Sequence, residues 1–320
     1  MKSFLTICFV LFFITINSFV SGQINKPSLP ETTDAIKFYK ELLTHNRHSA
    51  FAIYGLAYCY YMKNDFHAAL KYSKKNLKHP NDYQADSYLI FASSLDALGR
   101  NSEAISVFEK AIGLFPNNYL LYYNHALTCY KYRDLDKAIA SLYKAVQVSP
   151  LFVPSHYLLA CTLFENTNDP QSLLPLFYGL MIDGDSARTQ YALALALNFL
   201  NHKQEQIVVP FFEARLKINS IDQLLHYYIP VKNLKETLES LQPSDFASET
   251  VEYIQKAFAT YEKNKEFYIN FFEQLNEQSD LSTFSWYLMR YLKNTETEHW
   301  YTNHSNQLKS LANFLDKKLP

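Results

Sequence analysis

Residues 101–118 read NSEAISVFEKAIGLFPNN, and residues 134–151 read DLDKAIASLYKAVQVSPL. Both stretches carry apolar residues at intervals of three and four, which is the spacing of an amphipathic helix. Alanine, branched aliphatic and proline residues also stand at equivalent points of the two stretches. The chain therefore encodes one helix twice, and this repetition predicts a fold built from stacked copies of one unit.

The period of the repeat is 34 residues. One copy spans residues 85–116 and the next spans residues 119–150. A copy with slightly shifted spacing precedes them at 50–82, and a weaker copy follows at 153–183. A period of this length is typical of helical hairpins that stack along a solenoid. The matching positions are Tyr88 and Tyr122, Ala92 and Ala126, Ala104 and Ala138, Ile105 and Ile139, Phe108 and Leu142, Ala111 and Ala145, and Pro116 and Pro150.

Small residues at two sites of each copy explain how its two helices pack. Ala92 and Ala126 belong to the first helix of their copies, and Ala104 and Ala138 belong to the second. Helices that cross at about 8–10 Å require small side chains at the crossing point. A single hairpin cannot bury its own apolar stripes, so the next hairpin must cover them. Pro116 ends the second helix before the next copy begins.

These features resemble those of the tetratricopeptide repeat (TPR) family, because the length, the small-residue positions and the terminal proline agree in consecutive copies. The resemblance covers roughly half of the chain. It implies an all-α fold, a right-handed TPR-type α-solenoid of helical hairpins followed by additional C-terminal helices. We assign the solenoid to residues 32–183, with a capping helix at 32–46 and repeats at 50–82, 85–118, 119–152 and, in degenerate form, 153–183.

The helical period persists in residues 184–320, but the 34-residue pattern does not. We predict a C-terminal helical region that continues the stack. Pro210 and Pro230 are expected to kink or break two of its helices. The candidate helices are 186–201, 207–218, 221–241, 244–277, 280–293 and 297–318.

The first residues, MKSFLTICFVLFFITINSFVSG, have the organisation of a signal peptide. Lys2 gives a basic start, residues 4–16 are apolar, and small residues follow. We predict a signal peptide at 1–22, a linker at 23–31, and export to the periplasm or the extracellular space. An uncleaved membrane anchor is the alternative, but the apolar run is shorter than the ~20 residues that a spanning helix needs. No integral membrane span is expected after cleavage.

Composition and charge disfavour several classes of protein. The formal net charge is −1, so the electrostatic attraction on which nucleic-acid binding depends is not expected. Only 6 glycines occur in 320 residues, which favours long helices over a turn-rich β fold. Cys59, Cys129 and Cys161 stand in apolar helical patterns and are interpreted as buried thiols, with a bridge between Cys129 and Cys161 as the alternative.

The sequence contains no glycine-rich phosphate loop and no Cys-x-x-Cys, His-Glu-x-x-His or Gly-x-Ser-x-Gly motif. We therefore predict that the protein is not an enzyme and uses no cofactor or metal ion. Two weaker interpretations stay open. Glu296 and His299 could share a metal ion, or an enzyme site could lie in the C-terminal half near His226 or His299. His125 is interpreted as a hydrogen-bonded packing residue.

In TPR proteins the first helices of successive repeats line an inner groove that holds extended peptides or partner helices. Some TPR domains grip a C-terminal carboxylate there with lysine, arginine and asparagine. Residues at those positions here cannot supply the cationic contacts, so a clamp for chaperone tails is not expected. Tyrosine instead offers a rigid apolar ring and a hydroxyl that can hydrogen-bond a ligand's backbone. The residues at the clamp positions are Tyr54, Tyr58, Ile90, Leu120 and Asn124.

The resemblance therefore predicts a protein or peptide partner in an aromatic-lined concave groove. One alternative keeps the scaffold and stacks a glycan on the aromatic rings, as in outer-membrane glycan-capture proteins built partly on TPR helices. Another is that the C-terminal helices fill the groove, which would make its tyrosines part of the core. The residues predicted to contact the partner are Tyr54, Tyr58, Tyr61, Tyr123, Tyr130 and Tyr157.

Overall fold

The computed structural model describes residues 29–167, 172–200, 218–229, 231–260, 266–292 and 294–319. Across these residues the regular structure is helical and no strand occurs, which confirms the predicted all-α fold. The predicted signal peptide, residues 23–28 of the linker and residues 207–217 of one candidate helix lie outside the described residues. The chain forms two compact units, Met1–Val148 and Ser149–Pro320, called here the N-terminal and C-terminal units.

The described part of the N-terminal unit is a single helix followed by three helical hairpins. Each hairpin pairs a first helix with a second helix, and each packs against the next in chain order. The single helix is α1 (Leu29–His45), the first hairpin is α2 (Ala50–Met62) with α3 (Phe66–Asn76), the second is α4 (Gln84–Ala97) with α5 (Asn101–Leu114), and the third is α6 (Tyr119–Lys131) with α7 (Leu135–Val148).

The alanine positions of the repeat are fully buried in the N-terminal unit. Ala92, Ala104, Ala126 and Ala138 each have 0% exposed surface. In the second hairpin Ala92 packs in one cluster with Phe108, a residue of the partner helix. Larger side chains at these positions would push the paired helices apart. The spacing of alanine in the sequence therefore predicts the hairpin packing correctly.

The three hairpin turns share one backbone conformation. Each contains a residue with positive φ at an equivalent position: Asn64 at 60°, Gly99 at 74° and Arg133 at 64°. A left-handed residue just after a helix lets a following N–H reach back to the helix C-terminus, as in the Schellman motif. The repeat therefore extends to the turns, although their sequences differ. The bonds run from the N–H of Asp65 to the carbonyl of Tyr60, from Arg100 to Leu95 and from Asp134 to Cys129, each at 2.9 Å.

Helix α1 covers the face of the first hairpin that no preceding hairpin covers. Ile36 packs with Leu56 and Cys59 of α2. The two helices approach closely at Gly55, where an added β-carbon would lie 2.4 Å from the ring of Tyr39. The apolar stripe of α2 is thereby buried at the start of the stack.

Ten helices of the C-terminal unit fall within the described residues: α8 (Val153–Thr167), α9 (Leu173–Ile182), α10 (Ser186–Leu200), α11 (Ile221–Tyr228), α12 (Val231–Glu239), α13 (Pro243–Thr260), α14 (Glu266–Gln278), α15 (Leu281–Leu288), α16 (Thr295–Asn303) and α17 (Ser305–Lys318). Helix α8 pairs with α9, α10 packs against α11 and α12, and α15 packs against α13 and α17. Of all the helices described in either unit, none is both long and apolar enough to cross a membrane.

Three segments predicted as single helices each correspond to two helices. The candidate 244–277 corresponds to α13 and α14, and residues 261–265 between them lie outside the described residues. The candidate 221–241 contains Pro230, and proline both lacks an N–H and restricts the residue before it, so one helix ends and another begins around it. The candidate 297–318 divides at His304. The Nδ1–H of this histidine donates to the carbonyl of Trp300 at 2.8 Å, and such a bond competes with continuation of the helix.

A buried histidine ties three segments of the C-terminal unit together. His156 has no exposed surface, and its Nε2–H donates to the carbonyl of Pro150 at 2.7 Å. A carbonyl can only accept, so the proton sits on Nε2 and Nδ1 accepts from the Tyr268 hydroxyl at 2.7 Å. The ring also stacks on Tyr178 at 4.6 Å. Burial lowers the pKa of His156 to about 4, so the folded protein holds this ring neutral at neutral pH.

The three cysteines of the described chain are buried free thiols, as the sequence predicts. Burial raises the pKa of Cys59 and of Cys129 to about 12. Such thiols stay protonated and pack as small apolar side chains. The alternative of a bridge between Cys129 and Cys161 is therefore wrong.

Candidate functional site

The first helices of the three hairpins, α2, α4 and α6, lie next to one another. Their mutual contacts are more extensive than those between the second helices α3, α5 and α7. A stack of hairpins curves toward the side on which the helices approach more closely. We call the surface made by α2, α4 and α6 the inner face of the N-terminal unit.

Residues of the inner face fall into rows that cross the three hairpins. Equivalent positions are 35 residues apart between the first and second hairpins, and 34 apart between the second and third. Side chains three or four residues apart share one side of a helix, so each first helix contributes four positions. The rows are Phe51 with Asp86 and Leu120, Tyr54 with Leu89 and Tyr123, Tyr58 with Ser93 and Leu127, and Tyr61 with Asp96 and Tyr130.

The first hairpin presents a partly open aromatic surface on the inner face. Tyr54, Tyr58 and Tyr61, three of the residues predicted to bind a partner, are half-buried. Tyr83, just before α4, stacks on Tyr54 with ring centres 5.2 Å apart and 15° between the planes. It also contacts Phe51 at 5.9 Å, and Tyr54 lies 6.4 Å from Tyr58. Phe51, Tyr54, Tyr58 and Tyr83 are called the aromatic cluster below.

A carboxylate borders the aromatic cluster. Asp86 lies in the first turn of α4, three residues after Tyr83, and is half-buried. Burial raises the pKa of Asp86. Burial and then the charge of Asp86 raise the pKa of Tyr54 well above its usual value. Among the described residues, the Asp86 carboxylate forms no hydrogen bond and no ion pair. The cluster therefore combines an uncompensated negative charge with a neutral hydroxyl donor.

A buried ion pair lies near the C-terminal ends of α4 and α6, away from the aromatic cluster. Lys131 on α6 donates to Oδ2 of Asp96 on α4, and their side chains are 2% and 10% exposed. Burial raises the pKa of Asp96, although the charge of Lys131 opposes this shift. The hydroxyl of Tyr61 hydrogen-bonds Ser93, and burial raises the pKa of Tyr61 to about 12. The ion pair joins the second hairpin to the third and leaves neither charge open to a ligand.

The other three tyrosines predicted to bind a partner are buried. Tyr123 is 8% exposed, and Tyr130 and Tyr157 have no exposed surface. Tyr157, in the C-terminal unit, donates its hydroxyl to Oδ2 of Asp183 at 3.1 Å, and Arg188 binds the same carboxylate at 2.6 and 2.7 Å. A side chain without exposed surface cannot contact a partner. Tyr130 and Tyr157 therefore belong to the cores of their units, and Tyr123 is largely covered by its neighbours.

Two residues of the open surface, Tyr83 and Asp86, are missing from the residues predicted to contact the partner, although the resemblance places Asp86 at a groove-facing position. Tyr83 precedes α4 and so lies outside the helical positions that the repeat identifies. Asp86 occupies an inner-face position, but an acidic residue in a first helical turn usually does no more than favour the helix dipole. An aromatic residue three positions before an acidic one, at the start of a first helix, is the signal that points to both.

His125 lies in a buried group that resembles a catalytic arrangement but has the properties of a packing contact. Its Nδ1 lies 2.7 Å from the hydroxyl of Ser141, and its Nε2 lies 3.6 Å from Sγ of Cys129. Burial lowers the pKa of His125 and raises that of Cys129. A neutral imidazole and a protonated thiol, both buried, join α6 to α7 and hold no nucleophile.

The two histidines that the sequence analysis names in the C-terminal half lie in different surroundings: His226 is near Asp222, the carboxylate that pairs with Arg188, whereas His299 contacts Asn303. His226 is exposed and packs against Tyr191 with ring centres 4.3 Å apart. His299 is exposed, and its Nε2 lies 3.1 Å from Nδ2 of Asn303. Within the described parts of the chain, no group of three or more histidine, cysteine, aspartate or glutamate side chains could hold a metal ion.

Two protein families match parts of the chain. Residues 31–111 match the family described as anaphase-promoting complex, cyclosome, subunit 3. Residues 119–150 match the tetratricopeptide repeat. The matched residues contain α2 to α4, most of α1 and α5, and all of α6 and α7, so they support the TPR resemblance of the N-terminal unit.

Comparison with curated proteins found no match. Among solved structures, the chain is similar to a crystal structure of YrrB, described as a TPR protein with an unusual peptide-binding site. The two are 21% identical, and the alignment covers 49% of this chain and 81% of that chain, with a TM-score of 0.40.

Proposed function

We propose that the protein is a non-enzymatic protein–protein interaction scaffold, which binds an extended peptide or a partner helix on the inner face of its first two hairpins. The observation that carries this proposal is the half-buried aromatic cluster on that face. Rigid rings supply contact area at a small cost in side-chain entropy, and tyrosine is enriched among the residues that dominate binding energies.

The tyrosine hydroxyls suit a peptide backbone. A tyrosine hydroxyl is protonated at neutral pH at its usual pKa, and burial and then the charge of Asp86 raise the pKa of Tyr54 further. A protonated phenol can donate to a peptide carbonyl while the ring packs on the side chains beside it. An extended peptide that crosses α2 and α4 could accept hydrogen bonds from tyrosine hydroxyls through its carbonyls and pack its side chains on the tyrosine rings.

The proposal includes the compartment in which the partner is sought. Residues 1–22 have the organisation of a signal peptide, which supports export to the periplasm or the extracellular space. N-terminal sequencing of the protein recovered from its producing cells tests this part. A mature chain that begins near Gln23 supports export, and a chain that keeps its first residues argues against it.

Selection of peptides against the full chain tests the proposed site. A random peptide library is displayed on phage, and affinities of the selected peptides are measured by fluorescence anisotropy. Tyr58→Ala should weaken binding about ten-fold or more, because it removes a central ring of the surface. Tyr72→Ala is the matched control: Tyr72 is a half-buried tyrosine on the second helix α3, stacked on Tyr60 at 5.5 Å.

The control variant should bind the selected peptides with nearly unchanged affinity. Equal losses in Tyr58→Ala and Tyr72→Ala would show that the loss comes from general destabilisation of the first hairpin. Full affinity in Tyr58→Ala would contradict the proposed site.

A further inference from the structure

We infer that the ligand of the inner face presents a basic side chain, which binds between the aromatic cluster and the carboxylate of Asp86. The inference rests on the proposed function and names the chemistry of its partner, a peptide segment that carries arginine or lysine. The position of Asp86, the balance of charge on the first helices and the arrangement of the rings support it.

Asp86 stands where a ligand on the aromatic cluster would meet it. It shares a row of the inner face with Phe51, and it lies one helical turn after Tyr83, whose ring stacks on Tyr54. The charge of Asp86 also raises the pKa of Tyr54, which agrees with this placement. Asp86 is half-buried, so its carboxylate has lost part of its water shell and is still open to a ligand.

The first helices carry few charges, and one of these is not balanced. Helices α2, α4 and α6 together contain three residues with charged side chains at neutral pH: Asp86, Asp96 and Lys131. Lys131 and Asp96 neutralise each other in the buried pair. The remaining charge is that of Asp86, which has no cation among the described residues. A cationic ligand group would therefore complement the charge of the inner face.

A favourable interaction with the helix dipole does not explain the setting of Asp86. Asp136 in α7 and Asp245 in α13 also occupy first helical turns, and both are exposed. The dipole acts on an acidic residue at an exposed position as well, so it requires no aromatic surroundings. Placing Asp86 among rings adds a desolvation cost that a bound cation would offset.

The chemistry of the pocket favours a basic side chain over other ligand groups. A guanidinium can stack on a tyrosine ring and donate two hydrogen bonds to one carboxylate, and an ammonium can make a single charged bond. An acidic ligand residue would be repelled by Asp86. An apolar residue would bury the carboxylate further without pairing it. Arginine can both stack on a ring and pair with the Asp86 carboxylate. Lysine can pair with the carboxylate.

A double-mutant cycle on the full chain tests the inference. The best arginine-containing peptide from the selection is compared with its citrulline analogue, which keeps the shape and removes the charge. Asp86→Asn should weaken binding of the arginine peptide about ten- to hundred-fold, which is the range for loss of a charged hydrogen-bonded pair. The citrulline peptide should bind the original protein and the variant alike. Asp245→Asn, the same charge change in another first turn, should leave both affinities unchanged.

The outcomes separate this inference from the proposed function. Peptides that lose affinity in Tyr58→Ala but show no enrichment of arginine or lysine would overturn the inference and leave the proposed function in place. Arginine peptides whose affinity is unchanged by Asp86→Asn would do the same. A selection that yields no peptide dependent on Tyr58 would overturn both. A peptide in which lysine replaces arginine is also measured. If Asp86→Asn weakens its binding as much as that of the arginine peptide, the inference is supported and charge is the main feature that the site recognises.

Discussion

Tyrosines of the first hairpin and tyrosines in the core of the C-terminal unit have opposite environments. In the N-terminal unit, Tyr54 and Tyr58 lie half-buried on the inner face and stay accessible to a ligand. In the C-terminal unit, Tyr157 has no exposed surface and donates to Asp183, and the buried Tyr268 donates to His156. A buried hydroxyl needs a polar partner. The role of a tyrosine in a helical hairpin therefore depends on whether another segment supplies that partner and covers the ring.

The units also differ in how they hold buried charge. In the described part of the N-terminal unit, the buried charges of Lys131 and Asp96 form a pair that joins two hairpins of the repeat. In the C-terminal unit, Asp183 accepts bonds from Arg188 and from Tyr157 and has no exposed surface. The C-terminal unit thus depends on polar contacts made between residues that no repeat relates. Breaking these contacts should show the difference between the units most strongly.

The largest effect is expected for Asp183→Asn. The substitution keeps the size of the side chain but leaves the Arg188 guanidinium, 8% exposed, without its buried anion. Breaking one partner of a buried ion pair costs about 3–5 kcal/mol of stability. Tryptophan fluorescence during denaturant unfolding measures this, because Trp286 and Trp300 are the two tryptophans of the chain and both belong to the C-terminal unit.

The control is Glu252→Gln, which breaks an exposed ion pair with Lys256 in the same unit. Exposed pairs contribute at most about 1 kcal/mol, so its unfolding midpoint should barely move. An equal shift in both variants would contradict the central place given to Asp183.

The next effect is a loss of stability of the C-terminal unit in acid. The pKa of His156 is about 4 in the folded protein and about 6.5 in an unfolded chain, so the unfolded state binds more protons between these values. The stability that neutral His156 contributes is present above pH 6.5 and is lost as the pH falls toward 4. The total loss is about 3 kcal/mol.

Unfolding midpoints measured by tryptophan fluorescence between pH 7 and pH 4 check this expectation. His156→Gln should flatten the slope of stability against pH, whatever its own stability. His299→Gln, which changes an exposed histidine of the same unit, should keep the slope of the original protein. A slope that survives in His156→Gln would show that other groups cause the acid sensitivity.

The next largest effect is expected for replacements of glycine at helix crossings, which should destabilise the C-terminal unit more than the N-terminal unit. A β-carbon on Gly179 would lie 2.5 Å from the Tyr157 ring, which is buried and hydrogen-bonded and cannot move aside. A β-carbon on Gly55 would lie 2.4 Å from the Tyr39 ring, which is half-buried and can shift. We expect Gly179→Ala to cost about 1–3 kcal/mol and Gly55→Ala to cost less.

Gly113→Ala provides a control of opposite sign. Gly113 lies in α5 with no atom within 4 Å of an added β-carbon, so alanine should stabilise the helix by up to about 1 kcal/mol. Hydrogen exchange resolved by peptide measures all three variants. Equal losses in Gly55→Ala and Gly179→Ala would contradict the difference in rigidity between the two crossings.

Sequence predicts the N-terminal unit well, because the repeat is a local property. Ala92, Ala104, Ala126 and Ala138 mark helix crossings, and the period alone places them. Each hairpin packs mainly on its neighbours in the chain, so a pattern of 34 residues contains most of the information about its contacts. The same locality explains why the sequence also predicts Tyr54, Tyr58 and Tyr61 on one face.

Prediction fails where a specific polar side-chain contact decides the structure. Tyr157 donates its hydroxyl to Asp183 and packs against Gly179, and the apolar pattern of the weak repeat at 153–183 does not reveal either contact. The division of the last candidate helix at His304 depends on a side-chain bond to Trp300, and neither proline nor glycine marks that site. Apolar packing is visible in the sequence as a periodic spacing of apolar residues. A hydrogen bond from one hydroxyl or imidazole to its partner produces no such spacing.

Site-specific photocrosslinking tests the central claim most directly. Benzoylphenylalanine replaces either Tyr58 on the inner face or Tyr72 on the second helix of the same hairpin, and a selected peptide is added to the full chain. The account predicts crosslinks from position 58, and their disappearance when unlabelled peptide competes. Crosslinks from position 72 with equal yield, or none from position 58 while the peptide is bound, would contradict binding on the inner face.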